Sequence, residues 1–265
     1  MSRSLPRPPT AGIGRPAGMR QMSRSGFLND HRLVREVRAK PDAAIDRASW
    51  PADVPAVAAV LESGLELPEG VTFLVGENGS GKSTLVEAVA AAYGLGAEGG
   101  TVHSGHATHE SESPLSEWIT LVRRPGAPRW GFFLRAETMH GYYTFQSNLE
   151  GGHDFHSMSH GESFLAIADT YLATPGFYCL DEPEAALSFS SSLALIGVLA
   201  DLVANGSQVL CATHSPLLAS LPGAAIYETG EHGIRRREWD ELELVANWKS
   251  YLDAPQRYLR HVLGS

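Results

Sequence analysis

Residues 76–84 read Gly-Glu-Asn-Gly-Ser-Gly-Lys-Ser-Thr, between the β-branched run Val71–Val75 and an Ala-rich stretch ending at Tyr93. No other feature restricts the fold as much. Gly76, Gly81, Lys82 and Ser83 satisfy G-x-x-x-x-G-K-[ST], a pattern that needs a strand before it and a helix behind it. The run Val71–Val75 suits a buried strand. Ser83–Tyr93 suits a helix, with Gly94 as its C-cap. The glycines let backbone N–H groups wrap phosphates, and the helix N-terminus favours negative charge. Glu77, Asn78, Gly79 and Ser80 complete the loop, and Thr84 follows it. Lys82 is placed to reach the β- and γ-phosphates of a nucleotide such as ATP, and Ser83 to ligate Mg²⁺. The chain holds three lysines against eighteen arginines, so a lysine kept here suits a compact charge on phosphate.

A second apolar run, Gly176-Phe-Tyr-Cys-Leu-Asp-Glu-Pro183, ends in two carboxylates. Asp181 is a candidate Mg²⁺ ligand, and Glu182 a candidate base for the attacking water. A third run, Val209–Thr213, leads into His214, Ser215 and Pro216. A histidine at a strand's C-terminal end lies on the ligand-facing edge of an open α/β sheet. His214 is therefore a third candidate for hydrolytic work. Between these runs, Ser159-His-Gly-Glu-Ser163 has the S-x-x-E form of a helix capping box. The same capped N-terminus, through Ser159 and Gly161, offers donors to an anion held by another subunit.

In this order, the four motifs resemble those of the ABC-type ATPases: Walker A loop, signature, Walker B strand with a catalytic glutamate, and switch histidine. Within that group the chain is similar to small stand-alone bacterial predicted ATPases of the AAA-family type. The resemblance spans roughly Val71–Pro216. It implies an α/β P-loop NTPase fold with a mostly parallel central sheet flanked by helices and an N-terminal antiparallel β portion. It also implies an ATP-dependent homodimer, in which each ATP lies on one chain's P-loop and meets the other chain's Ser159 and Gly161. Glu137 stands near the expected Q-loop position and is a further metal candidate, with Gln146 as the alternative Q-loop residue. Trp50 is the candidate aromatic for adenine. His160 and Glu162 depart from transporter signatures, and Leu187-Ser188 replaces the Leu-Asp that usually follows Walker B.

The formal net charge of −9 argues against general attraction to nucleic acid or an anionic membrane. The Arg-rich tail and Arg235–Arg237 leave only local positive charge. No apolar stretch is long enough to cross a bilayer, because Leu193–Val203 is interrupted by Asp201. Cys179 and Cys211 sit in apolar runs and read as reduced core thiols, which suits the cytoplasm. Residues 1–26, with five arginines and no acid, read as a disordered tail, and 27–265 as one ATPase domain. His103, His106 and His109 lie in a Gly-rich loop with no helical propensity to hold a metal.

Further expectations are a strand at Leu33–Arg38, a loop over 41–56, and strands at Trp118–Arg123 and Trp130–Arg135 joined by Arg-Pro-Gly-Ala-Pro. Ser159–Ala173 and Leu187–Asn205 read as helices. Ala225–Glu228 and Ile234–Glu238 read as a hairpin, and Trp248–Leu263 as a C-terminal helix. Three functions compete: a soluble Mg-ATPase, a transporter's nucleotide-binding subunit with a separate membrane partner, and a DNA-associated or signalling ATP switch.

Overall fold

Three apolar segments, each too short to fold alone, supply the middle of the molecule in a computed structural model. It describes residues 31–96, 100–101, 113–135, 172, 174–185 and 187–263. The expected helix Ser159–Ala173, the His103–His109 loop and the tail 1–26 lie outside these residues.

In chain order the elements are β1 (Val34–Ala39), α1 (Pro55–Ser63), β2 (Leu65–Glu66), β3 (Val71–Val75), α2 (Lys82–Tyr93) and β4 (Gly100–Thr101). Then come α3 (Leu115–Trp118), β5 (Ile119–Arg123), β6 (Gly131–Arg135), β7 (Phe177–Asp181), α4 (Phe189–Ala204) and β8 (Gln208–Thr213). The chain continues through β9 (Ala225–Gly230), β10 (Gly233–Arg237), α5 (Glu243–Asp253) and α6 (Pro255–Leu263).

The main sheet has the order β10-β9-β3-β8-β7-β6-β4. Its five central strands are parallel, and only the two edge strands, β10 and β4, run antiparallel. A smaller antiparallel sheet, β2-β1-β5, gathers the N-terminal strands. The expected architecture is therefore the one adopted.

Every residue of β3, β7 and β8 is buried. Their side chains divide between two layers, as period two requires. Leu74, Cys179 and Leu210 join α1, α2 and the small sheet on one face. Phe73, Tyr178, Val209 and Cys211 join Leu195, Leu199 and Leu202 of α4 on the other. Helices on both faces explain why these strands are unbroken apolar runs rather than alternating ones.

Three expectations are corrected. The expected loop over 41–56 gives way at Pro55, where α1 begins. Pro55 occupies the first turn, where no N–H is missed, and Ala56, Val57, Val60 and Leu61 are its buried face. The strand expected at Trp118 starts at Ile119, because Leu115–Trp118 closes a short helical turn. Its neighbour β6 does not share its sheet: β5 pairs with β1, and β6 with β7. The C-terminal helix begins at Glu243 and breaks before Pro255, whose ring forbids a continuous helix.

Gln208 joins the two sheets. Its Oε1 accepts the N–H groups of Leu33 and Val34, both at 2.9 Å. Its Nε2 donates to the carbonyls of Val34, Leu67 and Pro68 at 2.8, 3.2 and 2.9 Å. At 2% exposure no water can replace it. Gln208→Ala is expected to cost about 2–4 kcal/mol in urea unfolding, since it strands several buried backbone groups. Burial pushes the thiols of Cys179 and Cys211 well up from their usual range. A thiol reagent at pH 8 is therefore expected to label neither in the folded chain and both in urea.

Candidate functional site

Parallel strands all end on the same edge, so the sheet brings distant motifs together. Across the main sheet Val75 lies beside Thr213, Asp181 beside Ala212, and Arg135 beside Asp181. The loop after β3, the acids at the end of β7 and His214 after β8 thus lie along one rim. This is where an open α/β sheet binds ligands.

The loop takes a tight, glycine-dependent conformation. Gly79 and Gly81 take φ of 80° and 96°, in the left-handed region where a side chain is strained. Ser80 N donates to the Glu77 carbonyl at 3.2 Å, closing a tight turn. Gly81 caps α2 in that conformation, and no acidic side chain lies in the first turn. The first N–H groups of α2 are thus left for an anion. A Cβ at Gly79 would meet nothing within 4 Å, so the loop has an open face.

Lys82 is 3% exposed, and its Nζ donates to the Glu77 carbonyl at 2.9 Å. Burial pulls its pKa below the ordinary lysine value, while Glu182, Asp181, Glu184 and Glu77 push against that shift. The buried ammonium thus sits in a field of four carboxylates and turns back on its own loop.

From below, β9 braces the loop. Thr229 Oγ1 donates to the Val75 carbonyl at 3.2 Å, so the Ser80 hydroxyl must donate to Thr229 Oγ1 at 2.7 Å. A Cβ on Gly76 would lie 2.3 Å from the Thr229 carbonyl oxygen. Glycine is required there by close approach.

Asp181 is 5% exposed, with Oδ2 3.7 Å from Arg135 Nε. Arg135 also reaches Glu87 on α2 at 3.3 Å. Next in the chain, Glu182 adopts φ of 49°, a left-handed conformation that costs a non-glycine residue about 1–2 kcal/mol. Its N–H is held by the Ala212 carbonyl at 3.0 Å. From this position Oε1 meets His214 Nε2 at 2.7 Å. A bond to a carboxylate requires Nε2 to carry the proton.

The structure therefore brings together residues 76–84, Asp181, Glu182 and His214. Glu137, Gln146, Ser159 and Gly161 lie outside the described residues. Trp50 is 56% exposed, on the segment leading into α1. Two contributors had no motif to announce them, Thr229 and Glu184, while Arg135 lay within Phe133-Leu-Arg-Ala-Glu137, a further piece of the resemblance. The hydroxyl of Thr229 is visible only once β9 is known to lie beside β3.

A strand-loop-helix with a buried lysine, separated by one strand from a strand ending in two acids, is the arrangement of the P-loop class. A family model described as an AAA domain, putative AbiEii toxin, type IV TA system, matches residues 102–220. An AAA-domain model matches residues 61–114. Two solved structures share 15% and 16% identity. One is an inward-facing putative metal-chelate type ABC transporter (TM-score 0.42, 68% of this chain and 76% of that one). The other is the SMC head domain from Thermotoga maritima (TM-score 0.40, 66% and 93%). A putative ABC transporter ATP-binding protein of Streptomyces coelicolor is 30% identical over 177 residues, which cover 58% of this chain and 30% of that protein. The cytochrome c biogenesis ATP-binding export protein CcmA of Rhizobium etli is 31% identical over 186 residues, 63% of this chain and 85% of that protein. The chain belongs to the ABC-type P-loop ATPases.

Gly76→Ala is expected to lower stability by about 1–3 kcal/mol, because a backbone oxygen cannot yield the space. Urea unfolding measures this, and ATP binding by calorimetry should fall with it.

Proposed function

We propose that this protein is a Mg²⁺-dependent ATPase that works as an ATP-sandwiched homodimer. One observation carries the reading: the lysine loop, the paired acids Asp181 and Glu182, and His214 end adjacent parallel strands on a single rim.

The residues fit the groups this chemistry needs. The open glycine loop and the N-terminus of α2 suit a triphosphate, and Lys82 would bind its terminal phosphates. The Ser83 hydroxyl and the Asp181 carboxylate are hard oxygen donors that would hold Mg²⁺, and Glu137 is a further candidate. Among the described residues no group of three or more His, Cys, Asp or Glu could hold a metal alone. Mg²⁺ is commonly bound by one or two protein oxygens together with substrate phosphates. The ion would neutralise charge on the phosphates. Glu182 is the proposed base that takes a proton from the attacking water. His214, with its Nε2 proton on Glu182, orients that carboxylate and can donate to a phosphate oxygen instead. Ser159 and Gly161 of a second copy would close over the nucleotide.

A second reading is favoured by the names of the relatives. CcmA is by name an ATP-binding export protein, so this chain could serve a membrane partner. No described helix is long and apolar enough to cross a membrane. Such a role would pair it with a membrane partner, and Leu187-Ser188 argues for the stand-alone reading. Simple binding to duplex DNA is opposed by the net charge of −9. A cytoplasmic location suits both ATPase readings.

Steady-state ATP hydrolysis with Mg²⁺ tests the proposal. Lys82→Ala is expected to reduce turnover about 100-fold or more, and Glu182→Gln by a similar factor. With ATP, Glu182→Gln should elute at twice the monomer mass in size-exclusion chromatography. A Glu182→Gln protein that stays monomeric, together with turnover indifferent to Lys82, would sink the proposal.

A further inference from the structure

Glu184 lies two residues beyond Glu182, in the turn after β7, and the chemistry above makes no use of it. Its side chain is nonetheless tightly engaged. Oε1 accepts the hydroxyl of Thr213 at 2.6 Å and the backbone N–H of His214 at 2.7 Å. The Thr213 oxygen in turn accepts the N–H of Ser215 at 3.0 Å. One carboxylate oxygen therefore fixes the chain where β8 gives way to its turn.

The other end of the same histidine is held by the same turn. The ring of His214 meets Glu182, while its backbone meets Glu184. The two acids thus grip His214 at ring and backbone from one short segment. Glu182 holds φ of 49° while doing so, so the turn carries strain at the point of contact.

Charge explains why the grip is firm and why Glu184 is not a phosphate ligand. Hydrogen bonds to an ionised acceptor are shorter and stronger than neutral ones. Yet the carboxylate adds to the negative field around Lys82, which opposes a triphosphate rather than attracting it. Among the described residues, Glu184 Oε2 has no hydrogen-bond partner.

We propose that Glu184 is a positioning residue that sets the backbone of His214, and through it the contact between the His214 ring and Glu182. The inference rests on the reading of Glu182 and His214 as the hydrolytic pair. It assigns Glu184 to the rate of hydrolysis and not to the affinity for ATP.

The test is a kinetic cycle with the full chain, Mg²⁺ and ATP, run beside Lys82→Ala. Glu184→Ala is expected to lower kcat about tenfold or more while KM changes less than about threefold. Glu184→Gln, whose amide oxygen can accept both bonds, should recover most of the loss. Glu184→Asp keeps the charge but shortens the arm, and should behave like the alanine variant. In a His214→Ala background, Glu184→Ala should cost less than about twofold more, because the residues act as one unit. If Glu184→Ala does not fold, Glu184→Asp takes its place in the cycle. A wild-type kcat in either variant overturns the inference, as does an undiminished loss in the His214→Ala background. Wild-type protein with no Lys82-dependent turnover overturns the hydrolytic reading and this inference together. Lys82-dependent turnover that the Glu184 variants leave untouched overturns this inference alone.

Discussion

The site depends on a buried ammonium with too little to bind. Lys82 is almost fully enclosed, it donates to a carbonyl of its own loop, and four carboxylates lie in its field. Taking a charge out of water is expensive unless it is paired and hydrogen-bonded. The lowered pKa expresses that cost with a definite sign. The charged form is penalised fully below the depressed pKa, and the penalty fades only as pH rises through it. Phosphate oxygens are the natural complement: they supply several acceptors to the ammonium and to the free N–H groups of α2.

The rest of the fold holds that loop in place. Five parallel strands, covered on both faces, put β3, β8 and β7 side by side with their C-terminal ends on one rim. Thr229 on β9 braces the loop from one side, and its close approach makes Gly76 obligatory. Asp181, Glu182 and His214 face the loop from the other. Gln208, at the opposite end of β8, ties the same strand to the small sheet. One strand thus connects the scaffold's main junction to the histidine of the site.

Much of this was legible from local pattern. The loop 76–84, the strands Val71–Val75 and Phe177–Asp181, and the late hairpin are contiguous signals, and contiguous signals survive folding. What depended on tertiary partners was not. The segments at Ile119–Arg123 and Gly131–Arg135 look like a hairpin because a turn joins them, yet they belong to different sheets. Helix α1 was obscured by the Pro-rich stretch before it, although Pro55 followed by apolar residues at 56, 57, 60 and 61 is a helix start with a buried face. Pro255 marked the break between α5 and α6 in the same way. Glu184 and Thr229 match no motif, because their roles come from what faces them across strands.

Calorimetric binding of ATP and of adenosine to the full chain, with Lys82→Met in parallel, tests the central claim most directly. If the phosphates complete the buried ammonium, ATP binds, adenosine does not bind measurably, and Lys82→Met loses most of the affinity. Adenosine binding as tightly as ATP, or ATP affinity unchanged by Lys82→Met, would contradict the account.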